Sequence, residues 1–169
     1  MKKLFAALVL LGSSFPAQAG EKIAVININE AILNTDFAKA KIDSFEADPE
    51  FKKYIDEVNK IQEKGIELTE KYKKNEMTMS AAEKSGLESK IKIKQADLEH
   101  VIKTIQQIKA KLIKELQVEM QNKAMTALQE VVETEGIGLL LKSDPEIVIK
   151  ADTSFDISAK VTEKLNKMK

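Results

Sequence analysis

The chain has 169 residues, with 27 basic and 27 acidic side chains, one histidine, and no cysteine or tryptophan; every basic residue is lysine. The missing cysteine excludes disulfide staples and thiolate metal sites, and a net charge of zero gives no reason to expect nucleic acid. Few aromatics beside abundant charge suit long helices with narrow apolar seams better than a thick globular core.

Residues 1–19 read as a signal peptide. Lys2 and Lys3 form a basic start, Leu4 to Leu11 an apolar stretch too short to span a bilayer, and Ala17-Gln18-Ala19 a small-x-small cleavage pattern. Cleavage after Ala19 is expected, so the product is exported, into the periplasm in a bacterium with two membranes. Loss of Lys2 and Lys3 takes the net charge from 0 to −2.

Lys22 to Asn27 is a β-rich run, expected as a strand, with a helical turn over Glu30 to Leu33. Thr35 or Asp36 caps the next helix, which continues to about Lys74 and is broken or bent at Asp48-Pro49. From there two ladders stand out. Phe51, Tyr54, Val58, Ile61, Gly65, Leu68 and Tyr72 alternate steps of three and four. Leu87, Ile91, Lys94, Leu98, Val101, Ile105, Ile108 and Leu112 do the same. Each is the seam of a coiled coil. Their positions mirror about residues 79–80, so Tyr72 meets Leu87, Ile61 meets Leu98 and Phe51 meets Ile108. The prediction is a long antiparallel hairpin reversing over Asn75 to Met79.

Ser80 and Glu83 have the spacing of a capping box. Nothing then stops the helix before Gly136, although Gly86 is a weak spot. Beyond Leu112 the pattern shifts to steps of four through Leu116, Met120 and Ala124. Such a stutter relaxes the supercoil and marks a change of packing environment. Gly138 to Lys142 and Ile147 to Lys150 read as two more strands, and Ser158 as the cap of a terminal helix bearing Val161, Leu165 and Met168. The fold class is therefore α+β, mostly α: a base from 20–47 and 113–169, with an arm at 48–112 whose tip lies near 75–80. Three short strands bury little, so assembly through the base is expected.

No catalytic constellation is visible. His100 is the single histidine and reads as a surface residue; no phosphate-binding or dinucleotide motif occurs, and no cofactor or metal is expected. Charge is nevertheless uneven. Residues 36–70 hold six lysines and ten acids, whereas 84–114 hold eight lysines and three acids. That asymmetry lets the two helices attract each other along their flanks. It also offers a basic strip of Lys90, Lys92, Lys94, Lys103, Lys109 and Lys111 to acidic partners or to anionic lipid such as lipopolysaccharide. The apolar residues left off the seam are Ile66, Ile93, Ile102 and Ile113, with Met77 and Met79 at the tip. Spaced isoleucines and flexible methionines suit weak, nonspecific contact with unfolded chains. Where Gly65 faces Lys94, two defects share one layer, and an arm hinge is expected there.

Lys22-Ile23-Ala24-Val25-Ile26-Asn27, the tip Thr78-Met79-Ser80-Ala81-Ala82-Glu83 with Leu87-Glu88, and the closing run Ala151 to Ser158 together resemble the Skp/OmpH family of periplasmic chaperones. The likeness covers essentially the whole mature chain. It implies a homotrimer with β-rich bases joined and helical arms enclosing a cavity. It also implies that the cavity holds unfolded outer-membrane proteins without ATP. With the small core, it places the subunit interface on Ile23, Val25, Leu139, Leu141, Ile147 and Ile149. Better-known members are strongly basic, while this mature chain is slightly acidic. The competing reading is a structural coiled-coil spacer or adaptor of the cell envelope; no enzymatic activity is expected.

Overall fold

The computed structural model describes residues 22–168. The signal peptide and its cleavage point lie outside the described residues. In chain order the elements are β1 (Lys22–Ile26), α1 (Ile28–Leu33), α2 (Asp36–Ala47), α3 (Pro49–Asn75), α4 (Ala81–Glu135), β2 (Ile137–Lys142), a single 3-10 turn (Thr153–Phe155) and α5 (Ser158–Lys167).

Local chemistry sets the helix boundaries. The Thr35 hydroxyl accepts from the Ala38 N–H and donates to the Ile32 carbonyl at 2.7 Å, so one buried side chain ends α1 and starts α2. Asp48 accepts from the Glu50 N–H at 2.7 Å, with Pro49 in the first position of α3, where its missing N–H costs nothing. The capping box forms: Glu83 N–H donates to Ser80 Oγ, and Ser80 N–H to the Glu83 carboxylate at 2.8 Å. Gly136 ends α4 in the left-handed region at φ 65°, where a side chain would be strained. Between these stops α4 runs unbroken for 55 residues, about 80 Å.

α3 and the outer half of α4 form the predicted hairpin, reversing where Thr78 N–H and Met79 N–H both donate to the Asn75 carbonyl. Every ladder residue from Phe51 to Leu112 is buried or half-buried. The mirrored register holds at both ends: Tyr72 donates to Glu88 at 2.9 Å near the tip, and at the root Lys109, next to Ile108, lies over the Phe51 ring and reaches on to Glu46 of α2 at 2.7 Å. At Asp48-Pro49 the helix breaks into two. Phe45 and Phe51 close the joint with ring centroids 4.6 Å apart, and Lys109 Nζ lies 5.4 Å from the Phe51 centroid.

The base is built on the inner half of α4. Leu116, Met120, Ala124, Ala127, Leu128 and Val131 are buried against Ala31 and Ile32 of α1, Ala38 of α2 and Val161 and Leu165 of α5. The four-residue steps after Leu112 thus mark the point where α4 leaves a one-helix partner for a multi-helix core. Long-range polar bonds tie the chain ends: Thr162 donates to the Ala31 carbonyl at 2.9 Å, and Asp36 N–H to Asn166 at 2.9 Å.

Two expectations fail here. The described sheet has two strands, β1 parallel to β2, with Ile23 beside Leu139 and Val25 beside Leu141. Ile147 to Lys150 is not a third. Asp144 folds it into a turn: its carboxylate accepts from Glu146 N–H, and its carbonyl from the Ile147 and Val148 N–H groups. The free edge of β1 is instead taken by the closing segment, where Ile157 N–H donates to the Val25 carbonyl at 3.0 Å. Nor does Ser158 cap α5 through its hydroxyl. That oxygen accepts from the Asn27 N–H at 2.9 Å, stitching the end of the chain to its start.

Candidate functional site

Outside the base core, the arm is the feature that can act. Two helices side by side bury only a seam, and both flanks face solvent. Gln62, Ile66, Thr69 and Gln95 line an open groove of about 560 Å³ on one flank. Ile55 lies seven residues before Gln62 and Ile102 seven after Gln95, which returns each to the same side of its helix. The residues bordering the seam on this flank are thus Ile55, Gln62 and Thr69 on α3, with Gln95 and Ile102 on α4. None is charged.

The other flank differs. Lys64, Lys71, Lys90 and Ile93 share a second groove there. The same seven-residue spacing adds Glu57 on α3 and Asp97, Thr104 and Lys111 on α4. Along the border of the seam this flank is therefore the more heavily charged of the two.

The two flanks redistribute the residues singled out in the sequence. Of the apolar set, Ile66, Ile93, Ile102, Ile113 and Met77 are exposed and Met79 is half-buried. They do not share one face. Ile66 and Ile102 belong to the first flank and Ile93 to the second, while Met77 stands at the tip, 97% exposed. Ile55, also exposed, was missed. Its signal was present in the spacing: Ile55 and Ile66 are eleven residues apart, as are Ile102 and Ile113, and eleven residues is three helical turns.

The basic strip is likewise not one strip. Lys94 occupies the seam, and its ammonium pairs with Asp97 at 2.6 Å. Lys109 is engaged by Glu46 and Phe51, and Lys111 lies 3.8 Å from Glu115. Lys90, Lys92 and Lys103 have no carboxylate within ion-pair distance among the described residues and are all exposed.

At the Gly65–Lys94 layer α3 and α4 both continue without a break. A Cβ added at Gly65 would meet nothing within 4 Å, so the missing side chain leaves real space. His100 is exposed on α4, and no group of acidic or histidine side chains among the described residues has metal-binding geometry.

Around the base, Ile23, Leu139 and Ile147 are exposed, Leu141 is half-buried, and Ile149 is 96% exposed on the turn after β2. Val25 is 5% exposed, with its carbonyl taken by the closing segment of its own chain, and is not available as a surface contact. Val118 and Met125 on α4 and Phe37 on α2 are further exposed apolar residues that the sequence reading left out.

Two carboxylates that secure the ends of α4 are held below their ordinary range. Glu83 is lowered by hydrogen bonds from the Ser80 backbone and hydroxyl. Glu135 is lowered chiefly by its hydrogen bond and ion pair with Lys160, with Lys22 adding to it. The Glu88 carboxylate beside Tyr72 pushes that phenol upward.

A family model described as outer membrane protein (OmpH-like) matches residues 22–165. A crystal structure from Caulobacter crescentus CB15, described as an OmpH-like outer membrane chaperone, aligns over 94% of this chain and 90% of that one, with 16% identity and a TM-score of 0.45. No curated protein matches this sequence significantly.

Proposed function

The chain belongs to the OmpH-like outer membrane protein family, and from that premise we propose that it is an ATP-independent holdase chaperone of the periplasm. The signal peptide delivers it there and is removed after Ala19. Its clients are unfolded outer-membrane proteins, held between the arms of a homotrimer until they reach the membrane. The observation that carries this reading is the arm itself: a paired-helix rod extending from a compact base, with isoleucines exposed along its length.

The mechanism is mass action. A surface that binds the unfolded state and not the folded one keeps free unfolded chain scarce and so slows aggregation. Single contacts of this kind are weak, and three arms around one chain add them by multivalency. Subunits join through Ile23, Leu139, Leu141, Ile147 and Ile149 at the base. Lys90, Lys92 and Lys103 are left for acidic client segments or anionic lipid. No catalytic step is part of this function.

Light scattering from a denatured outer-membrane β-barrel protein, diluted from urea with and without the mature chain, tests the proposal. Suppression is expected near one trimer per client. Undiminished aggregation favours the envelope spacer. Replacing Lys90, Lys92 and Lys103 by glutamine is expected to weaken capture in low salt and to remove its salt dependence, since exposed charges are screened over about 8 Å at physiological ionic strength. Capture unchanged by both makes these lysines a solvated face.

A further inference from the structure

Each arm helix has a side turned away from the seam, and charge on these two sides is matched by height. On α3, Asp56, Glu63 and Glu70 recur there every seven residues. All three are exposed, and none has a lysine within ion-pair distance among the described residues. On α4 the same side carries Ser89, Ala96 and Lys103, with Lys92 next to the first two. Lys92 and Lys103 are exposed and unpaired as well, so each side holds charge that its own chain leaves unanswered. The mirror about residues 79–80 puts Asp56 level with Lys103, Lys60 with Glu99 and Glu67 with Lys92. Glu63 and Glu70 are level with Ala96 and Ser89, which are small, and Lys52 and Lys53 with Gln107 and Gln106, which are neutral. No like charges are level on these sides between residues 52 and 74. Ile66 and Ile93, which a single arm sets on opposite flanks, are also level.

Within one arm these matches cannot be used, because the two sides face away from each other across a rod about 20 Å wide. Between copies they can. In a rotationally symmetric assembly whose arms point the same way, all copies stand at one height. The α3 of one arm then runs antiparallel to the α4 of the next, and residues level within an arm are level between arms.

We propose that in the client-free assembly adjacent arms close on one another, the acidic side of α3 in one copy against the lysine-bearing side of α4 in the next. The occupant of each side is a second copy of this chain. An unfolded client has no fixed spacing to match, whereas a second copy matches sign at each of the three level charge pairs. The inference rests on the homotrimer reading and adds a closed state to it. Exposed ion pairs are individually weak and are screened by salt. The contact therefore opens when a client competes for the same lysines and isoleucines.

The test uses the mature full-length protein, which has no cysteine of its own. Asp56→Cys with Lys103→Cys places two thiols that one copy cannot join, since a disulfide requires Cα atoms within about 7 Å. Under mild oxidation in low salt, without client, a covalent trimer is expected on a non-reducing gel. A denatured outer-membrane barrel protein, or 1 M salt, is expected to lower its yield several-fold. Asp56→Cys with Lys92→Cys, about 16 Å out of level, is expected to stay uncrosslinked. Equal crosslinking of the two pairs overturns the proposal. So does a protein that sediments as a trimer and forms no crosslink, which removes the closure and leaves the homotrimer. A protein that sediments as a monomer removes the homotrimer, and the closure with it. A second variant needs no thiol: Asp56→Asn with Glu63→Gln and Glu67→Gln frees the lysines and is expected to raise client affinity about threefold or more. Unchanged affinity overturns the proposal, and weaker capture does so by setting these carboxylates against basic client segments instead.

Discussion

The base and the arm are made from one continuous helix, yet they are held together differently. Among the described residues, eighteen apolar side chains are buried, and only Phe51, Leu87 and Val101 belong to the arm. The inner half of α4 is enclosed by α1, α2 and α5; the outer half has α3 and water. Burial stabilises in proportion to apolar area removed from water. The base is therefore the stable body of the subunit, and the arm is a lightly held rod whose seam residues stay partly wet. The proposed capture of many unfolded partners calls for that division: one part that does not change, and one that can.

Core truncation gives the largest expected separation between the two regions. Leu116→Ala opens a cavity in the base and is expected to cost about 2–5 kcal/mol. Leu98→Ala, at a half-buried seam position, is expected to cost about 1 kcal/mol. Urea unfolding followed by circular dichroism measures both. Equal costs would erase the distinction.

Assembly comes next. Ile147 is exposed on its turn in the single chain, so Ile147→Asp is expected to leave the subunit folded while placing an unpaired charge in the proposed interface, at a cost of several kcal/mol. Sedimentation should shift from trimer to monomer with an unchanged helical spectrum. A wild type that sediments as a stable monomer contradicts the proposed interface outright.

Within the arm, the Gly65–Lys94 layer is expected to act as a hinge. Glycine costs about 1 kcal/mol in a helix interior relative to alanine. Amides of 63–67 and 92–96 should exchange with solvent faster than those one heptad away, and Gly65→Ala should slow them. Uniform exchange along the arm removes the hinge.

The smallest effect is at the tip. Ser80→Ala removes the cap of α4 and is expected to cost about 1 kcal/mol of local stability. The Glu83 carboxyl is held below its unfolded value first by the Ser80 backbone N–H, which alanine keeps, and then by the Ser80 hydroxyl, which it removes. Its contribution is therefore present above the unfolded pKa and lost as pH falls through the folded one. Fraying of the tip on acidification, read from amide exchange over 80–84, should be smaller in Ser80→Ala than in the wild type.

Much of this architecture was legible before any coordinates. The three-and-four alternation and its mirror located the hairpin because a seam must repeat at a fixed spacing. Thr35, Ser80 with Glu83, and Gly136 marked helix ends because each chemically satisfies or relaxes a terminus. The shift to steps of four located the base. Residues 147–150 misled because β-branched composition says nothing about competing local bonds; the Asp144 carbonyl takes the Ile147 and Val148 N–H groups and holds the start of the run in a turn. Ser158 misled for a similar reason: its hydroxyl went to Asn27, 131 residues away, rather than to its own helix. The two-sidedness of the arm stayed hidden because it depends on how two faces meet across the seam. Ile93 and Ile66 looked equivalent in a row of letters and lie on opposite flanks.

Hydrogen exchange of the assembled protein, with and without a denatured outer-membrane barrel protein, tests the division of labour most directly. Client binding is expected to slow exchange in 55–69 and 91–106 while leaving 116–131 unaltered. Protection confined to the base, with the arm exchanging as it does alone, would contradict the account.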